Sequence, residues 1–315
     1  MSNLKFHEYL EKNKNKKFFV DWCKGNNGDL LISKGLSHIL NQMEVCTVSD
    51  IDDCDIVIIN GGGMFVDGYK QGISKLNKYL DEKREVCVAP NSFNYKKFDF
   101  EGFLKQYDTK VTLFARETYS YNLLKNISSN LEHVECYISD DLAFYLENSD
   151  FINDIKLNCQ KYTGKILVVD RMDIENKKNG GKVTVTMKLY NKMFPELLKN
   201  IYRSLRNWRR GRFGTHMTKF AKNIVLNNNP DYKINEITST DLSRDDIYSF
   251  DEFVMKISES DYIFTNRLHV GVLGYLLNKK VFLVEGAYFK LTGIYELSMK
   301  HSCNTKLLSK YEPEC

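Results

Sequence analysis

Proline is scarce in this chain of 315 residues, with four in all, and tryptophan is scarcer still at two. So little proline argues against long extended linkers between folded parts. No run of about 18 apolar residues occurs, so no transmembrane helix is expected. The opening stretch, Met1 to Lys17, is polar and lysine-rich and lacks the apolar centre of a secretory signal. The eight cysteines stand at 23, 46, 54, 87, 136, 159, 303 and 315 and include no Cys-x-x-Cys pair, which argues against a zinc site. Neither sign of charge dominates. A formal net charge of +4, from 45 basic and 41 acidic side chains, implies no partner by itself.

What is present suits a globular protein with a sizeable core: 43% hydrophobic and 27% charged residues. Cysteines inside apolar runs, such as Cys87 in Val86-Cys87-Val88, are expected to be reduced core thiols of a cytoplasmic protein. At roughly 100–200 residues per domain the length predicts two domains. The boundary is expected between Leu146 and Tyr162. The working division is 1–155, 156–290 and a helical tail over 291–315.

Short apolar runs alternate with longer amphipathic stretches. Phe18 to Val20, Val45 to Val48, Ile56 to Ile59, Val86 to Ala89 and Val111 to Ala115 are strand candidates, and Tyr137-Ile138 closes the first half. Between the first two, apolar residues at 31, 32, 36, 39, 40 and 43 follow a helical period. A second series starts at Ile166 to Val169, with Val183 to Met187 as a further strand candidate. It continues through helix Asp251 to Ser258, strand Tyr262 to Thr265, helix Leu268 to Leu277 and strand Val281 to Val284. Alternation of this kind predicts an α/β protein of parallel βαβ units, arranged as two Rossmann-like domains facing a cleft. Such sheets place ligands at the carboxyl ends of their strands.

Five loops at those ends can carry chemistry. Gly25-Asn26-Asn27-Gly28-Asp29 opens the first long helix, where backbone amides favour anions; a plain turn with Asp29 as helix cap explains it equally well. Asn60-Gly61-Gly62-Gly63 removes every side chain where a ligand would approach. Arg116-Glu117 offers a planar fork for a phosphate or carboxylate, or an ion pair. Asp170-Arg171-Met172-Asp173-Ile174-Glu175 offers a cation and two carboxylates, or a solvated charged loop. Thr265-Asn266-Arg267-Leu268-His269 sets an anion clamp beside an acid–base group. Asp140-Asp141 has no matching histidines and reads as a turn and helix cap rather than a metal pair.

Together these loops resemble the polysaccharide pyruvyl transferase family. The matching pieces are Gly25 to Asp29, Gly61-Gly62-Gly63, Ala89-Pro90-Asn91-Ser92, Phe114-Ala115-Arg116-Glu117 with Ser120, Asp140 to Phe144, Arg171 with Asp173 and Glu175, Thr265 to His269, and Tyr288-Phe289-Lys290. The resemblance runs from about residue 23 to about 293, nearly the whole chain. The resemblance implies a GT-B-like fold, phosphoenolpyruvate as donor, a sugar diol as acceptor, and a cyclic ketal plus phosphate as products. It implies catalytic roles for His269, Asp173 and Glu175. It places donor binding on Arg267, Arg171, Leu268, Arg116 and Lys290, and the acceptor side near Asn26, Asn27, Asp29, Gly61, Gly62 and Gly63. The first domain would hold the acceptor and the second the donor, with no metal and no further cofactor. The competing enzyme reading is a GT-B-like glycosyltransferase that uses a nucleotide sugar.

One feature stands apart from these motifs. Residues 199–222 are basic and aromatic, with Arg203, Arg206, Trp208, Arg209, Arg210, Arg212, Phe213 and Phe220. That composition suits peripheral contact with an anionic membrane surface or a diphosphate. A lipid-linked sugar acceptor at the inner face of the membrane would account for it. No nucleic-acid motif accompanies the segment, so nucleic acid is not expected as a partner.

Overall fold

The computed structural model describes residues 4–23, 25–159, 162–170, 217–285 and 289–308. The chain folds into two α/β lobes, each built on its own parallel sheet. The first lobe contains helices α1 (Phe6–Lys12), α2 (Asn27–Gln42), α3 (Gln71–Asp81), α4 (Phe100–Leu104) and α5 (Thr118–Ser128). Its strands are β1 (Phe18–Asp21), β2 (Thr47–Val48), β3 (Ile56–Ile59), β4 (Gly62–Val66), β5 (Glu85–Asn94), β6 (Val111–Ala115) and β7 (Val134–Ile138). The sheet runs β2-β1-β3-β5-β6-β7, and β4 also pairs with β5; every pairing is parallel.

Strand β3 explains why the sheet forms. All four of its residues, Ile56 to Ile59, are buried, the continuous apolar run expected of a strand covered on both faces. The ten-residue β5 then pairs with two successive partners. Its first half lies beside β3 and its second half beside β4. The glycine run therefore sits where one partner strand ends and the next begins, and Gly62 to Val66 is strand rather than open loop.

After β7 a 3-10 turn (Leu142–Leu146) and helix α6 (Asp150–Asn158) lead to the second lobe. That lobe holds β8 (Lys165–Val169), helix α7 (217–228), β9 (Glu236–Thr240), α8 (Phe250–Ser258), β10 (Tyr262–Thr265), α9 (Leu268–Leu276), β11 (Lys280–Val284), α10 (Phe289–Ile294) and β12 (Thr305–Leu308). Its sheet runs β12-β11-β10-β8-β9, again all parallel. Residues 305–308, inside the stretch expected to be a helical tail, thus form an edge strand. The strand candidate Val183 to Met187 lies outside the described residues.

Each sheet is covered on both faces by a separate apolar cluster. One cluster crosses between the lobes. Leu31 of α2, Ala143 and Leu146 of the 3-10 turn and Ile152 of α6 pack with Val270, Leu273 and Leu283 of the second lobe. The lobes are thereby held together by buried apolar surface close to the carboxyl ends of both sheets. Among the described residues no helix is long and apolar enough to cross a membrane. The expectation of core thiols fits Cys87, which is buried. It does not fit Cys46, in the run Val45 to Val48, which is exposed.

Candidate active site

The first candidate loop builds the start of α2. Asn26, rather than Asp29, is the N-cap: its Oδ1 accepts from the Gly28 amide at 2.8 Å, and Asp29 Oδ2 accepts from the Asn26 amide at 3.0 Å. This reciprocal cap satisfies donors that a helix start leaves open. Asn27 points elsewhere. Its side-chain amide donates to the carbonyls of Leu242 (3.1 Å) and Tyr248 (2.9 Å), and its backbone N–H donates to that of Ser243 (3.1 Å). Asn27 therefore ties the first lobe to the loop that follows β9.

That loop carries Asp241, which sequence reasoning missed. Its carboxylate takes a forked pair of bonds from Arg267, at 3.0 Å from Nε and 2.7 Å from Nη2, with both residues buried. A planar guanidinium suits this bidentate geometry. Arg267 also precedes the first turn of α9 and donates its amide to the Thr265 hydroxyl at 2.9 Å. Leu268 packs against the second-lobe core.

His269, in the first turn of α9, reaches back to the first lobe. Its Nε2 lies 3.4 Å from Oδ2 of Asp141, the residue that starts the 3-10 turn after β7. The same oxygen accepts from Nη1 of Arg116 at 2.6 Å, while Oδ1 caps the turn by accepting from the Ala143 amide at 2.9 Å. Arg116, at the end of β6, also donates from Nε to the Ser92 hydroxyl at 2.9 Å. Asp141 is fully buried. Burial alone would raise its carboxyl. The charges of His269 and Arg116, with hydrogen bonds from His269 and the Ala143 amide, outweigh that and hold it well below the usual carboxylate range. Asp141 was expected to be a cap, and it is one; its second oxygen also links Arg116 to His269.

The glycines make room around this chain. A Cβ on Gly28 would lie 2.8 Å from Nδ1 of His269, so the imidazole rests directly on the start of α2. A Cβ on Gly63 would lie 2.7 Å from Nζ of Lys290 and 3.2 Å from Nη2 of Arg116. Two cations, one from each lobe, thus meet over a residue without a side chain. Gly61 lies against Leu142 and the Pro90 carbonyl, and Gly62 takes a φ of +140°, which a side chain would strain. Arg171, Asp173 and Glu175 lie outside the described residues.

Two parallel α/β lobes thus meet at an imidazole, a buried carboxylate and a pair of cations. Residues 4–287 match the family model for polysaccharide pyruvyl transferase, and the chain belongs to that family. Its activity is pyruvyl transfer in polysaccharide biosynthesis. No curated protein matches the sequence. Among solved structures, a functionally uncharacterized protein from Klebsiella pneumoniae subsp. pneumoniae NTUH-K2044 is similar in fold. It has a TM-score of 0.61 at 19% identity, over 98% of this chain and 99% of that one.

Proposed function

We propose that this enzyme takes the pyruvyl group from phosphoenolpyruvate and places it as a cyclic ketal on two hydroxyls of one sugar, releasing phosphate. The observation that carries this reading is the meeting of Arg116 and Lys290 over Gly63, with His269 held by Asp141 on the same buried arginine. Phosphoenolpyruvate carries a carboxylate and a phosphate, and its C2 takes a hydroxyl oxygen only as its methylene carbon gains a proton. A cationic seat beside an imidazole meets both needs.

In the proposed reaction a proton is added to the methylene carbon, which becomes the methyl group. One sugar hydroxyl bonds to C2 and gives up its proton, restoring the acid. The second hydroxyl then bonds to C2 as the C2–O bond to phosphate breaks, and phosphate leaves with the electron pair. The second hydroxyl's proton passes to phosphate or solvent. His269 is the proposed proton donor, with Arg116 and Lys290 on the donor's anionic groups. Arg267, at the N-cap of α9 and fixed by Asp241, is read as a further support of this seat, with Leu268 beside it, on the family resemblance. Arg171 as a further donor ligand, and Asp173 or Glu175 as the base for a hydroxyl, complete the proposal on the family resemblance.

The two lobes are read as Rossmann-like and their arrangement as GT-B-like, with Gly63 assigned to the donor seat rather than to the acceptor side. A lipid-linked acceptor, met at a membrane surface through residues 199–222, of which 199–216 lie outside the described residues, fits the basic composition of that segment. Phosphate release from phosphoenolpyruvate across a panel of sugar acceptors, with mass spectrometry of the products, tests the reading. A ketal-bearing product with equimolar phosphate supports it. Glycosyl transfer from a nucleotide sugar, without use of phosphoenolpyruvate, overturns it.

A further inference from the structure

We infer that Tyr119 is a positioning residue for donor binding, which seats Lys290 over Gly63 by holding the short helix that carries it. The inference rests on the reading of Lys290 as a donor ligand. Helix α10 lies between β11 and β12 of the second lobe, and its Leu291 and Ile294 are buried. Two other residues of α10 meet the first lobe. The Phe289 ring lies against that of Tyr119, with centroids 4.2 Å apart and planes tilted by 34°. Further along, a Cβ on Gly293 would lie 2.8 Å from Cβ of Glu117, so the helix sits flush against the start of α5.

The first-lobe side of this interface is fixed. Glu117 is the N-cap of α5, accepting from the Ser120 amide at 2.9 Å and from the Ser120 hydroxyl. Tyr119 donates from its hydroxyl to Oδ1 of Asn94, at the end of β5. Lys290 lies between Phe289 and Gly293, and its Nζ reaches the space over Gly63. A helix of six residues has little stability of its own, so its place is set by what it packs on. Leu291 and Ile294 hold the helix to its own lobe, and aromatic packing on Tyr119 on one side of Lys290 with close backbone approach to Glu117 on the other hold it to the first lobe, where the ammonium stands. Tyr119 itself is 48% exposed, so core packing does not account for its ring pairing, and its removal leaves the first-lobe core intact.

A double-mutant cycle with phosphoenolpyruvate as the varied substrate tests this. Tyr119→Ala is expected to raise the KM for phosphoenolpyruvate about three- to tenfold, the effect of losing one aromatic pair, with kcat and unfolding temperature near wild type. Tyr119→Phe keeps the ring and is expected to keep the wild-type KM. Lys290→Gln is expected to raise KM further, and adding Tyr119→Ala to it should change nothing more. A wild-type KM for Tyr119→Ala overturns the inference, as does an equal rise on the Lys290→Gln background. A wild-type KM for Lys290→Gln itself overturns the donor-ligand reading and the inference with it.

Discussion

Nε2 of His269 lies 3.4 Å from Oδ2 of Asp141, so a carboxylate of one lobe holds the imidazole of the other. Asp141→Ala would leave Arg116 buried without its 2.6 Å partner, at a cost of about 3–5 kcal/mol. Asp141→Asn keeps an oxygen for the Ala143 amide but turns an uncharged NH2 toward the Arg116 guanidinium, so it should still fold with reduced stability. It is expected to lower kcat about 10- to 100-fold, because the imidazole loses its charged partner. Steady-state kinetics together with thermal unfolding separate the two effects.

The depressed carboxyl of Asp141 also sets a pH dependence of stability. In the unfolded chain this group protonates near pH 4, to within about a unit, whereas in the fold it stays ionised to lower pH. Its stabilisation is therefore present above that range and is lost as pH falls toward the folded value. Denaturant unfolding followed downward from about pH 5 should show a steeper loss in the wild type than in Asp141→Asn. Parallel curves would contradict this role for the cluster.

Gly28→Ala places a methyl group 2.8 Å from Nδ1 and 3.1 Å from Cβ of His269. The same methyl would lie 3.0 Å from Oδ1 of Asn26, so it strains the cap of α2 and offsets the helix-propensity gain of alanine. The expected result is a kcat reduced by about tenfold or more with at most a small fall in unfolding temperature.

Gly63→Ala acts on the cations instead. Its methyl would lie 2.7 Å from Nζ of Lys290 and 3.2 Å from Nη2 of Arg116. The flexible lysine can retreat, so the fold should survive. The KM for phosphoenolpyruvate is expected to rise about tenfold or more as the seat fills, the effect of removing one charge-assisted hydrogen bond to the donor.

Asn27→Ala tests the tie between the lobes. It removes the donors to the Leu242 and Tyr248 carbonyls and loosens the loop that carries Asp241. Each buried carbonyl left open costs about 1–3 kcal/mol. A lower unfolding temperature and faster proteolysis near residues 241–248 are the expected outcomes.

The fold was legible wherever strands are covered on both faces. Ile56 to Ile59, Val111 to Ala115 and Tyr262 to Thr265 read as strands because burial demands continuous apolar runs there. Edge strands β9 and β12 were not legible, since Glu236 to Thr240 are polar and partly exposed and Thr305 to Leu308 carry no alternation. Glycine at Gly62 and Gly63 disguised a strand as a loop. At the site, Arg116 and His269 stood out because they fall just past strand ends. Asp241 did not, because its partner Arg267 is 26 residues away and only the fold joins them. The second role of Asp141 was hidden behind the first: one carboxylate oxygen caps a turn, and the other meets two cations.

Phosphate release from phosphoenolpyruvate by the wild type and by His269→Ala, with a ketal-forming sugar acceptor present, tests the central claim most directly. The proposed chemistry predicts acceptor-dependent phosphate release by the wild type. It predicts a rate for His269→Ala lower by about 100-fold or more, with folding unchanged. Release by His269→Ala at the wild-type rate would contradict it.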